Sequence, residues 1–468
     1  MSNIWAVARH MIAEGIRMKI ALVFLVLVGL VVLGLPFSIE GDSSLTGAIQ
    51  SFLQYALSAT AVLLGMLTIF MSRSLADELV NRQIYLVMTK PIARWKYVVG
   101  KWLGITTLNF TFLLCAGVTI YGMVHYVRWT HPPIDEVFDE AELENEVLVA
   151  RHAVKCELPD FSRYADREFQ QNVEQGLYDN VPEFNPANER ARLSQKYEAK
   201  WRVVGPEEAR VFEFENVLCE RTRANQVQIR YKTDVTSYAS DEIFRALWRV
   251  GNPGKGTPVY TIPVRQVVGR FHTVRVPGDA VAGDHTLTAY FLNSNPFQGE
   301  YKQRSVIEFR KSNEVELLFL VGSFEWNLVR LMTLMMCKLM FLAAVALLMT
   351  TVFSFPDACL ASFTIYVLAG ARSFILEALD FSSNDYGSMF SSVKEFVVQS
   401  FAHVYELAHW IIPNFGRYDA VETLVNGRNV SLVWVLQGIA ELAMLKTLIV
   451  LGFAILLFHR REVAEVSV

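Results

Sequence analysis

Long apolar runs separated by charged segments organise this chain. Ile20 to Ile39 carries no charge and is long enough to cross a bilayer with a hydrocarbon core of ~30 Å. Comparable runs recur at Phe52–Met71, Trp102–Tyr126, Leu331–Phe353, Ala358–Phe374 and Gly438–Phe458. They predict an α-helical integral membrane protein with six transmembrane helices. Upstream, Ile4, Val7, Ala8, Met11 and Ile12 repeat at helical spacing, which predicts an interfacial helix before the first span. Another amphipathic segment follows the second span. At 100° per residue, Leu75, Leu79 and Leu86 share an arc with Ala76, Val80 and Val87, while Asp77, Glu78, Asn81 and Arg82 occupy the rest. Gln83 is the polar intruder on the apolar face. This predicts a helix over 73–90 that Pro91 stops, because the residue before proline is pushed out of the helical region.

The pattern changes between the third and fourth spans. Residues 127–325 are polar, and their first part, 127–200, is rich in Glu, Arg, Gln and Ala and reads as charged helices. From 201 to 325 the period becomes that of strands, as in Thr286–Leu292, Phe271–Val276 and Val306–Phe309. Turn clusters at Gly251–Gly254, Pro277–Asp279 and Asn293–Pro296 separate them. Short strands over this length fit a small β-sandwich, with an immunoglobulin-like arrangement as one form of it and the topology open. The chain thus divides into 1–126, 127–325 and 326–468, the last holding three spans and an outer helical segment at 379–430.

Charge then sets the orientation. The stretch from Arg73 to Lys101 carries Arg73, Arg82, Lys90, Arg94, Lys96 and Lys101 against only Asp77 and Glu78. Short loops rich in Lys and Arg stay cytoplasmic. Arg9, Arg17 and Lys19 before the first span, and His459-Arg-Arg461 after the last, agree with this and put both termini inside. Segments 127–325 and 379–430 then fall outside, in a multi-pass protein of the inner (cytoplasmic) membrane. The first apolar run is too long for a cleaved signal peptide, and LGLPFSIE offers no small-x-small cleavage site. Composition fits: 52% hydrophobic residues, 19% charged and a positive mean hydropathy exclude an ordinary soluble protein. A net charge of −4 gives no basic footprint for nucleic acid.

Catalytic signatures are missing from the sequence. It has no Gly-x4-Gly-Lys-Ser/Thr loop to cradle phosphates; Gly100-Lys101 and Gly254-Lys-Gly256 lack its spacing or location. It has no Gly-x-Ser-x-Gly elbow and no paired zinc-type cysteines. Met332, Met336 and Met340 repeat every four residues, beside Met335 and Cys337. Sulfur on one helix face suits Cu(I), but the same spacing serves packing, and no metal is assigned. His403, Glu406 and His409 spread over too wide an arc for one metal site, so an interfacial helix ended by Pro413 is the reading there. Charges inside spans are costly and therefore functional candidates: Lys338, Glu441 and Lys446. Glu441 is expected to form a structural pair with Lys338 across helices. Cys156 and Cys219 could form a disulfide in an oxidising compartment or remain thiols; the spacing leaves both open.

Several short motifs, in this order, resemble the membrane-spanning permease subunits of type-2, exporter-like ABC transporters. They are Asp77-Glu78, the Thr89-Lys-Pro-Ile-Ala-Arg94 turn, Val99-Gly-Lys-Trp-Leu-Gly104, the Ile4–Arg17 helix, Ile411–Phe415 and the closing Phe458–Glu462. The likeness covers roughly the first 125 and last 140 residues; the large outer segment departs from the simplest members. It implies a half-transporter that pairs with a second permease, identical or not, over separate cytosolic ATPase subunits holding ATP and Mg. By this resemblance the 73–90 helix is the coupling element, with Asp77, Glu78, Arg82, Pro91, Arg94 and Lys101 as its contact and turn residues, and export is the direction. A membrane-anchored binding or scaffolding protein, whose outer β domain recognises a cell-envelope partner, is the alternative.

Overall fold

A computed structural model describes residues 2–17, 19–37, 45–81, 93–130, 143–178, 185–223, 225–235, 243–294, 306–309, 315–383 and 413–460. The chain forms two compact units. One is made of Met1–Val149 with Ser323–Val468, the other of Ala150–Gly322.

The first unit is helical: α1 (Ser2–Arg17), α2 (Ile20–Gly34), α3 (Leu45–Met71), α4 (Arg73–Val80) and α5 (Arg94–Thr130). Among the described residues, four helical stretches are long and apolar enough to cross a membrane: Leu45–Val80, Arg94–Thr130, Phe324–Val352 and Leu432–Arg460. A fifth is gained if α1 and α2, which bend sharply where Lys19 takes a left-handed backbone, are taken as one. The first of the six predicted spans is shorter here, because Pro36 lies in a tight turn that follows α2 after Gly34. The fifth falls within a helix over Phe355–Ser383, of which Phe355–Ala371 is apolar. The helix predicted over 73–90 is seen as α4 over Arg73–Val80; Arg82, Lys90 and Pro91 lie outside the described residues, as do His403, Glu406, His409 and much of the segment expected at 379–430.

Within the second unit, α6 (Phe161–Glu174) and α7 (Pro186–Arg202) form a helical pair. Asp160 caps α6 by accepting from the amides of Ser162 and Arg163, and Asn185 caps α7 in the same way. Among the described residues, eleven strands run in chain order: β1 (Val149–Lys155), β2 (Val203–Val204), β3 (Ala209–Phe214), β4 (Gln226–Lys232), β5 (Asp234–Val235), β6 (Ile243–Val250), β7 (Tyr260–Val267), β8 (Phe271–Pro277), β9 (Leu287–Asn293), β10 (Ile307–Glu308) and β11 (Glu316–Ser323). Sheets of order β1-β11-β4-β8 and β3-β9-β6-β7 share one core, and β2-β10-β5 forms a small third sheet. Strand β1 corrects the reading of 127–200 as wholly helical. Its charged residues suggested a helix, but β11 offers a pairing edge that no single-sequence pattern reveals.

Alternation explains the core. Phe244, Ala246, Trp248 and Val250 of β6 point inward, as do Val227, Ile229 and Tyr231 of β4. Trp248 is fully buried, with ring centroids of Tyr231, Phe291 and Phe212 at 5.0, 5.1 and 5.8 Å. We expect Trp248→Ala to destabilise this unit by about 3–5 kcal/mol, read as a lower denaturant midpoint in the β-sheet circular dichroism signal. At the end of β6, Gly251 has φ 122°, and a Cβ there would lie 2.0 Å from the Pro258 carbonyl, so only glycine fits. Cys156 is buried and Cys219 partly buried in this unit. Burial pushes the Cys156 thiol up to about 11 and raises that of Cys219, which makes both poor nucleophiles.

The remaining helices belong to the first unit: α8 (Phe324–Val352), α9 (Phe355–Ser383), α10 (Val421–Val425), α11 (Leu432–Gly438), a π-helical segment Ile439–Lys446, and α12 (Thr447–Arg460).

Candidate functional site

The N-terminal helix does not simply rest on a membrane surface. Ala8 and Met11 of α1 are fully buried against α5, where two glycines let the backbones approach. A Cβ on Gly100 would lie 2.6 Å from Val7 Cβ and 3.0 Å from the Ile4 carbonyl. One on Gly104 would lie 2.6 Å from Met11 Cβ and 2.9 Å from the Ala8 carbonyl. This is close packing of the small-xxx-small kind used between helices in apolar surroundings.

Lys101 lies between those glycines and is 1% exposed. Its ammonium contacts Glu14 at 3.2 Å, Ser74 at 2.6 Å and Glu78 at 2.9 Å, which uses all three N–H donors. Ser74 in turn donates to Glu14, and the Tyr97 ring lies 5.7 Å from the Lys101 ammonium. One cation thus joins α1 (Glu14), α4 (Ser74, Glu78) and α5. His10, Glu14 and Glu78 bring ligand-type atoms within 4.8 Å of one another, but Lys101 already supplies the cation between the carboxylates.

Other contacts gather at the same end of the unit. Arg94 donates to the His459 carbonyl at 2.7 Å, capping the end of α12, and Tyr97 stacks on Phe458 at 5.9 Å. Arg73 lies 5.5 Å over Phe355, which begins α9, and pairs with Asp77 at 3.2 Å. Of these elements, α1, α4, the start of α5 and the end of α12 carry the basic residues that predict a cytoplasmic side.

Residues 5–143 match the ABC-2 family transporter proteins. This match, which contains every residue of the lysine cluster, supports a permease subunit of a type-2 ABC transporter. Such a subunit is a membrane transport component and not itself the ATP-hydrolysing one. Searches of curated proteins and of solved structures found no match.

The structure places the predicted site residues unevenly. Asp77 keeps 44% of its side chain exposed. Glu78 and Lys101, expected at the partner-facing surface, are instead buried and spent on one another, because they project from α4 and α5 toward α1. Arg94 is committed to the final helix, and Arg82 and Pro91 lie outside the described residues. Glu14, Ser74 and the role of Gly100 and Gly104 were missed. A signal for Glu14 existed: it lies seven residues after Val7 and three after Met11, on the same buried helix face.

The intramembrane charges pair differently from expectation. Lys338 on α8 meets Asp419 at 4.0 Å. Glu441 meets Lys446 at 3.1 Å and accepts from the Tyr418 hydroxyl. The π-helical turn brings Glu441 and Lys446, five residues apart, onto one face, which removes Glu441 from the pair expected with Lys338. Met332 and Met336 line a groove between α5 and α8, whereas Met335 and Cys337 point into the core, so the sulfur stripe is divided between two environments.

Proposed function

We propose that the protein is the permease half of an ATP-driven exporter, worked by a separate cytosolic ATPase that docks under the segment between the second and third spans. The observation that carries this is the Lys101 cluster. It binds α4 to α1 and α5, so force applied at α4 moves three elements as one body rather than bending a loop. Such a body is what a two-state transporter needs for ATP to bias it. Six spans with both termini cytoplasmic, an extracytoplasmic β-rich unit and pairing with a second permease complete the reading. An inner-membrane location belongs to the same reading, with charge bias setting the orientation there.

Asp77 is the exposed acidic residue on α4 and therefore the favoured contact for the ATPase; Arg82 and Pro91 remain coupling residues by the family resemblance alone. Affinity purification in mild detergent is expected to bring down a stoichiometric ATPase, and Asp77→Lys to reduce its recovery several-fold. An intact permease with no ATPase at any detergent strength would reject the transporter reading. It would favour instead an anchored binding protein. One observation gives that second reading weight: the β-rich unit has a groove of about 650 Å³ lined by Phe161, Tyr164, Tyr197 and Trp201.

A further inference from the structure

An apolar groove of about 620 Å³ runs along the helical unit between α5 and α8. Phe110, Leu114, Gly117 and Val118 form one wall, and Met332 and Met336 the other. The walls are not merely uncovered but widened by a missing side chain. A Cβ on Gly117 would already lie 3.3 Å from the Met332 methyl, so glycine there keeps the channel open. From Phe110 to Tyr121 the groove extends for ~16 Å at the helical rise. That is half the ~30 Å hydrocarbon core, the depth of one leaflet.

The groove has a polar mouth at one end only. Glu325, in the first turn of α8, accepts from Tyr121 at 3.5 Å, and the Tyr121 ring meets His125 edge-on at 4.7 Å. Glu325 is the one charged residue in the lining among the described residues. Trp326 and Trp129, exposed at 69% and 81%, flank this level as interfacial aromatics do. An apolar slot one leaflet deep with a single carboxylate at its mouth matches one kind of molecule.

We propose that this groove holds a phospholipid with a primary-amine headgroup, one acyl chain lying along α5 and α8 and its ammonium on Glu325. A primary ammonium donates charge-assisted hydrogen bonds to a carboxylate. A glycerol headgroup brings no positive charge, and a trimethylated one brings no N–H donor. The inference requires only that α5 and α8 span the bilayer, so it stands or falls separately from ATPase coupling.

The test is native mass spectrometry of the full chain released from nanodiscs holding equal phosphatidylethanolamine, phosphatidylcholine and phosphatidylglycerol. The wild type is expected to retain one phosphatidylethanolamine about tenfold over either competitor. Glu325→Gln should bring the three to near parity, and Gly117→Leu should abolish retention while the thermal midpoint stays within a few degrees. Equal retention of all three lipids by the wild type, or an unchanged preference in Glu325→Gln, overturns the proposal. So does an efficient disulfide between two copies carrying Val118→Cys, which would make a second chain the occupant.

Discussion

Lys101→Met is expected to destabilise the helical unit by about 3–5 kcal/mol, the cost of breaking a buried pair and stranding its charge. Magnitudes decide this. An exposed pair contributes ~0–1 kcal/mol, but here Lys101 is 1% exposed and Glu78 8%. Removing the ammonium leaves two carboxylates facing each other across Ser74, with only Glu14, 21% exposed, able to draw water. The measurement is the thermal midpoint in detergent. Its counterpart is the combination Lys101→Met, Glu78→Leu and Glu14→Gln, which removes the charges together. Neutral replacement of a whole buried network is often tolerated, so stability should largely return. Under the proposed ATP-driven reading, transport or stimulation of an ATPase should not, because α4 is then no longer held to α1 and α5 by directed bonds. Full recovery of both would reduce the cluster to a folding device.

Gly104→Leu should prise α1 away from α5. The first added atom meets Met11 Cβ at 2.6 Å and the Ala8 carbonyl at 2.9 Å, and a carbonyl cannot move without its helix. Overpacking of this kind costs about 1–3 kcal/mol. The expected readout is faster trypsin cleavage after Arg9 or Arg17, together with a lower midpoint. Gly122→Leu on the same helix is the control, since a Cβ there meets nothing within 4 Å, and it should leave both readouts unchanged. Combined with Lys101→Met, the Gly104 variant should be less than additive, because each releases the same helix. Strict additivity would mean that glycine packing and the ion cluster hold α1 independently.

The chain's membrane character, the strands from Ala209 onward and the motif around Gly100-Lys101 were all legible in the sequence. What Lys101 does there was not. A lysine beside a tryptophan at the start of an apolar run suggests an interfacial anchor, yet Tyr97, Val98, Lys101, Gly104, Ile105 and Leu108 share a face, and that face turns inward. Charge counting described the segment and missed its direction. The same limit applies to Lys338. Its partner is Asp419 rather than Glu441, because helix crossings and the π-helical turn fix which charges meet. Strand β1 shows the limit differently: Val149–Lys155 pairs with a strand more than 150 residues away in sequence. No local period carries that information.

Strands β1 and β11 are neighbours in one sheet, and a Cβ on Gly322 would sit 3.8 Å from that of Ala150. The β-rich unit therefore begins and ends at the same place. Once it has folded, the connection between α5 and α8 behaves as a short loop instead of one nearly ten times longer. Loop-closure entropy grows with the logarithm of length, so this spares the assembling helices about 2 kcal/mol. A β-rich unit whose ends meet thus lowers the entropic cost of closing the chain between α5 and α8.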